Sequence, residues 1–191
     1  MLKLYADQLT GIHDNLYGCG SYYSRENKCV VMDSSYNQSE YTDVLKHELG
    51  HFVDHMLGDR SSSIVFEDAM SNTKRLFDTS TPEGRLMLSD MMDDLFSTGA
   101  GNDRNVTDII SALFNNNELV NDRFVKEAVV GYTAYYQHST ESYWNKSPDL
   151  APKEIFANLF AVYTDGFRAS VGFVERWFPD LANSFNGFMS G

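Results

Sequence analysis

The run Thr42-Asp-Val-Leu-Lys-His-Glu-Leu-Gly-His-Phe-Val-Asp-His-Met-Leu-Gly58 constrains this chain more tightly than any other stretch. Apolar Val44, Leu45, Leu49, Phe52, Val53 and Met56 recur at helical spacing, Ser39 can cap the start, and Gly58 follows the last periodic position, where a helix ends. Residues four apart stack on one face of a helix, so His47 and His51 can aim their imidazoles at a single ion, expected to be Zn2+. Glu48 projects to the side of the first ligand, where its carboxylate can take a proton from a metal-bound water. The HExxH string thus carries two ligands and a base. Composition alone produces it in roughly one chain in a few hundred of this length, but many accidental copies fall in loops or strands, where the two histidines diverge.

A metal centre needs a core to hold it. At 191 residues, 42% hydrophobic and 14% aromatic, the chain can bury one in a single domain over 1–191. The balance of 15 basic against 27 acidic residues, a formal net charge of -12, argues against nucleic acid and anionic membrane surfaces and favours a basic or neutral substrate. No stretch reaches the roughly 18 apolar residues of a membrane span, so no span is expected. Met1-Leu-Lys-Leu-Tyr-Ala-Asp7 lacks the apolar core of a signal peptide. A cytoplasmic or virion-associated setting is therefore expected, with secretion open if the chain is a piece of a larger parent. Cys19 and Cys29 are the only cysteines; two reduced thiols are expected, with a disulfide across a hairpin as the alternative.

Around the motif helix the pattern is α+β, mostly α. Residues 20–24 and 29–33 read as short strands joined at Arg25-Glu-Asn-Lys28, a hairpin just ahead of the motif. Helical patterns follow over 64–77, over 82–96 with Thr81 as cap and Pro82 at the first position, and over 106–114. Segments 124–136, 155–163 with Pro152 at the helix start, 171–178 and 181–188 complete a bundle-like remainder, in which 59–135 reads as a helical insert.

Two histidines leave zinc short of a third protein ligand. A third histidine six residues past His51 is excluded, since that position is Leu57. His55 lies about 80° round the helix from His47 and is read as a surface or packing residue. Two candidates stay open: Cys19, in a Gly-Cys segment of the kind that serves a deformylase, and Glu154, expected in the first turn of a helix anchored by Ile155, Phe156, Leu159 and Phe160. A first-turn carboxylate in solvent is the plain alternative for Glu154.

Two separated segments together resemble the anthrax lethal factor family of metallopeptidases. His47 to Asp54 resembles that family's HExxHxxD, and Lys153-Glu-Ile-Phe-Ala-Asn-Leu-Phe160 resembles its Glu-Phe-Phe-Ala-Glu-x-Phe segment. The resemblance covers the hairpin, the motif helix and 143–163. It implies a zincin-like fold of gluzincin type, zinc on His47, His51 and Glu154, Glu48 as base, and a tyrosine ahead of the third ligand that donates to the oxyanion. Tyr143 is assigned that role, with Tyr136 and His138 as rivals and an ordinary buried aromatic beside Trp144 as the alternative. Asp54 is expected either to orient a ligand or neighbouring backbone group or to be a helix-surface carboxylate. Asn158 departs from the pattern, standing where the family has a second glutamate; a histidine it supports would be a weaker donor.

The function implied is zinc-dependent peptide hydrolysis of a peptide or protein substrate held extended along an exposed edge strand, either 20–24 or 29–33. The alternatives are a weak or inactive zincin-fold module of a virion or toxin, and a deformylase-like amide hydrolase using Cys19.

Overall fold

The computed structural model describes residues 5–115, 117–120, 129 and 141–190. The chain opens on a three-stranded sheet of β1 (Gly11–Asn15), β2 (Tyr22–Ser24) and β3 (Cys29–Asp33) in the order β1-β3-β2. The expected hairpin is the antiparallel pair β2–β3, with Tyr22 opposite Val31 and Ser24 opposite Cys29. Sequence reading missed β1, which runs parallel to β3 with Gly11 opposite Cys29 and Asn15 opposite Asp33. Gly-Ile-His-Asp-Asn has neither a β-branched run nor a buried face, so only the pairing with β3 makes it a strand.

This topology corrects one expectation. β3 is paired on both sides and Val30 and Met32 are wholly buried, so 29–33 offers no edge to a substrate; the edges are β1 and β2. The loop before β2 is latched to the end of β3. The Asp33 carboxylate accepts from the backbone N–H of Gly18 at 2.9 Å and of Gly20 at 2.7 Å, both glycines at positive φ.

Eight helices follow among the described residues: α1 (Gln38–Met56), α2 (Ile64–Leu76), α3 (Pro82–Thr98), α4 (Arg104–Asn115), α5 (Glu141–Trp144), α6 (Leu150–Asp165), α7 (Arg168–Trp177) and α8 (Pro179–Ser190). α1 starts two residues earlier than expected. Asn37, not Ser39, is the cap: its side chain accepts from the N–H groups of Ser39 and Glu40, and the Glu40 carboxylate reaches back to the N–H of Asn37. At α3 the expected start holds, with Thr81 accepting from Gly84 N–H and Pro82 first. The helix expected over 124–136, and with it Tyr136 and His138, lies outside the described residues.

α6 is the spine of the core. Ala151, Ile155, Phe156, Ala157, Leu159, Phe160, Ala161 and Val162 are all buried, because a helix apolar all round finds partners on every side. It packs against α1 and α4, while α2 lies along α8. Phe66, Phe77, Met91, Leu95, Ile109 and Phe114, from the stretch read as an insert, belong to the same apolar cluster as Phe52 and Ile155. Among the described residues no helix is long and apolar enough to cross a membrane.

One contact sets the register between α1 and α6. A Cβ placed on Gly50 would lie 2.7 Å from Ala157 Cα, 2.8 Å from Ala157 O and 3.1 Å from Phe160 Cβ, so the two helices meet backbone to backbone there. Gly50 is one of the two unspecified positions of the HExxH string, and its lack of a side chain lets α6 approach the histidines. Gly50→Ala is expected to cost about 1–3 kcal/mol by overpacking, measured by urea unfolding; wild-type stability in that variant would contradict the close approach.

Candidate metal centre

His47 and His51 lie one turn apart on α1, and Glu154 faces them from α6. His47 Nε2 is 3.2 Å from His51 Nε2 and 3.1 Å from Glu154 Oε2, and His51 Nε2 is 3.7 Å from Glu154 Oε1. Two ligands at about 2.1 Å from a tetrahedral ion stand about 3.4 Å apart. The edges to Glu154 end on its two different oxygens, and with one ligand atom from each residue the three atoms lie within 4.8 Å of one another, close enough to converge on one ion. The triangle is the one group of three or more His, Cys, Asp or Glu ligand atoms that converges among the described residues. Two imidazole nitrogens and a carboxylate this close need a proton or a cation between them, and two nitrogens with one oxygen form a donor set suited to a divalent transition metal.

The basicity of the two rings reflects the same crowding. Burial pushes both imidazoles down, and at His51 it prevails, lowering that ring to about 4. At His47 the hydrogen bond and charge of Glu154 outweigh burial and raise the ring to about 9, with smaller help from Glu48 and Asp108.

α6 begins at Leu150, so Glu154 sits in the second turn rather than the first, and it is buried rather than in solvent. The helix dipole does not explain its position. The Gly50–Ala157 contact does, since it brings the turn before Ala157 against His47 and His51.

Behind the triangle lies a second layer. His47 Nδ1 donates to Asn158 Oδ1 at 2.9 Å, and Asn158 Nδ2 donates to Asp108 Oδ2, also at 2.9 Å. Asn158 and Asp108 are both fully buried. Sequence reading had Asn158 as a possible histidine support but missed Asp108, 50 positions away on α4. The available signal was a lone carboxylate inside the apolar pattern of 106–114; its partner could not be read from spacing.

Tyr143, on the short α5, donates its hydroxyl to Glu154 Oε1 at 3.3 Å. Its ring stands edge-on to Trp144 at 5.0 Å, and the Lys146 ammonium lies 4.7 Å from the ring centroid. Burial, with the neighbouring Glu154 charge, pushes the phenol well above its usual range, so it stays a donor. Glu48, buried, lines the same 360 Å³ cavity as His47, His51, Asp54, Glu154, Tyr143 and Lys153, with Ser21, Tyr22 and Tyr23 of the sheet side also in its lining. A slightly larger hollow of 440 Å³ near Asn37, Asp43 and Phe167 touches none of these groups.

The remaining candidates are not part of the ligand triangle. Asp54 is buried, which overturns the surface-carboxylate alternative; it accepts from Ser61 N–H at 2.9 Å and from the Ser61 hydroxyl, and so orients the backbone of the turn after α1 rather than a histidine. Burial raises its carboxyl, offset in part by those Ser61 bonds. His55 Nδ1 bonds the Tyr23 hydroxyl at 2.8 Å, a packing histidine that ties β2 to α1. Cys19 is exposed and Cys29 is buried in β3; both are free thiols, and Cys19 has no place in the triangle. Compared with protein-family models, with curated proteins and with solved structures, the chain gives no match in any of the three.

Because Asp54 serves the turn and not the triangle, Asp54→Ala is expected to cost about 1–3 kcal/mol by stranding Ser61 while metal affinity stays unchanged. Urea unfolding and a chelator competition titration check the two halves separately.

Proposed function

We propose that this chain is a zinc-dependent metallopeptidase of gluzincin type with a zincin-like fold, similar in its site to the anthrax lethal factor family. The observation that carries the reading is the triangle of two Nε2 atoms and one carboxylate, with edges of 3.1 to 3.7 Å, in a cavity that also holds Glu48 and Tyr143. His47, His51 and Glu154 would hold the ion. When bound, zinc supplies Lewis acidity that polarises a carbonyl and acidifies water.

The chain's own groups then have distinct work. Glu48 accepts the proton of the attacking water and returns it to the leaving amine. The Tyr143 hydroxyl, kept protonated by its surroundings, donates to the oxyanion of the tetrahedral intermediate. Substrate is an extended peptide added to the outer edge of β2, whose Tyr22 and Tyr23 line the cavity and whose other edge is taken by β3. The bidentate Arg25–Asp59 pair, at 2.6 and 2.8 Å, and the Tyr23–His55 bond hold that strand against the end of α1. The exposed position of Cys19, outside the triangle, speaks against the deformylase alternative.

Three measurements test this. Glu48→Gln should keep stoichiometric zinc and lose about 10²-fold or more in cleavage of a quenched-fluorescence peptide library; cleavage at the wild-type rate would falsify the assigned base. Tyr143→Phe should keep zinc and lower kcat by about 10²-fold. Chelation should abolish cleavage and added zinc restore it.

A further inference from the structure

The orientation of the Asn158 amide has only one consistent solution. A carboxylate accepts and does not donate, so the Asp108 oxygen at 2.9 Å must face the Asn158 NH2, which turns the Asn158 carbonyl oxygen toward His47 Nδ1. That oxygen accepts only, so His47 keeps a proton on Nδ1, and in its neutral form the ring offers the Nε2 lone pair to the triangle. The tautomer of the first histidine is thus decided two residues away, on a third helix. The Asp108 carboxylate is buried to 0% exposure, where water screens its charge poorly and the charge is felt along the bonded chain to His47.

We infer that Asp108 is the charge-bearing positioning residue of the metal centre, acting on His47 through the Asn158 amide, so that Asn158 and Asp108 together do the work of one carboxylate directly behind the histidine. The inference rests on the zinc-site reading but not on turnover. Carboxylate partners of this sort strengthen the ligand's basicity and are worth about 10–100-fold in metal affinity. Through Asn158 the charge polarises the amide, makes its oxygen a better acceptor, and raises the electron density that His47 Nε2 offers the ion.

The experiment reads zinc affinity by chelator competition in the full chain. Asp108→Asn should weaken zinc about 10–100-fold. The exchanged pair Asp108→Asn with Asn158→Asp should bring affinity back to near wild type, since a carboxylate at 158 then accepts directly from His47 and the amide at 108 donates from behind. The proton on His47 Nδ1, followed by NMR in the zinc-loaded protein, should be protected from exchange in the wild type and the exchanged pair and lose that protection in Asp108→Asn. Unchanged affinity in a folded Asp108→Asn overturns the inference, as does a folded exchanged pair that fails to recover. If Asp108→Asn alone does not fold, the exchanged pair decides in the same two directions. Wild type that binds no zinc sinks the metal reading and this inference together. Wild type that binds zinc without cleaving peptides sinks only the peptidase reading.

Discussion

The site depends on how closely two helix backbones approach. α1 and α6 touch at Gly50 and Ala157 with no side chain between them, and His47, Glu48, His51, Glu154 and Asn158 all lie within about a turn of that point. Helices separated by ordinary side chains sit about 8–10 Å apart. At such a spacing Glu154 would fall short of the two imidazoles and Asn158 short of His47. The contact therefore does for geometry what no single ligand can do, and the apolar burial of α6 against α1 and α4 holds it in place.

That close packing has an electrostatic consequence. It gathers Glu48, Glu154 and Asp108 with two imidazoles in a poorly hydrated space, where each charge is felt strongly by the others. The opposed displacements of His47 and His51 express that crowding: the ring bonded to Glu154 and Asn158 gains basicity and its neighbour loses it. A cation shared by all three ligands resolves the same tension without a proton, which is why the donor set suits the zinc role proposed for it. Asp54, buried on the same helix and lining the same cavity, spends its hydrogen bonds on the turn at Ser61.

The sheet contributes one wall and little of the core. β3 is central and buried, β2 is an edge fastened to α1 through His55 and Asp59, and the loop before it is latched by Asp33. These ties stiffen an edge strand beside the cavity, in keeping with the peptide-docking role proposed for it, and they account for a histidine and an aspartate near the motif that take no part in the triangle.

Much of this was legible in the residues themselves. Local rules, the 3.6-residue period, caps and turn chemistry, identified α1, the β2–β3 pair and most later helices, because each depends only on near neighbours; the cap moved from Ser39 to Asn37 because the reciprocal bond with Glu40 outcompetes a lone serine. The pairing of His47 with His51 was legible for the same reason. β1 was not, since its strand character comes from β3, and neither was the depth of Glu154, since α6 starts earlier than Pro152 suggests. Asn158 was noticed as a departure, but its partner Asp108 required knowing that α4 lies against α6. By itself the sequence determined which groups are present and which of them share a helix face. Only the tertiary structure decided which faces meet, because contacts across 50 to 110 positions are selected by how a whole core packs and leave no periodic trace in the chain.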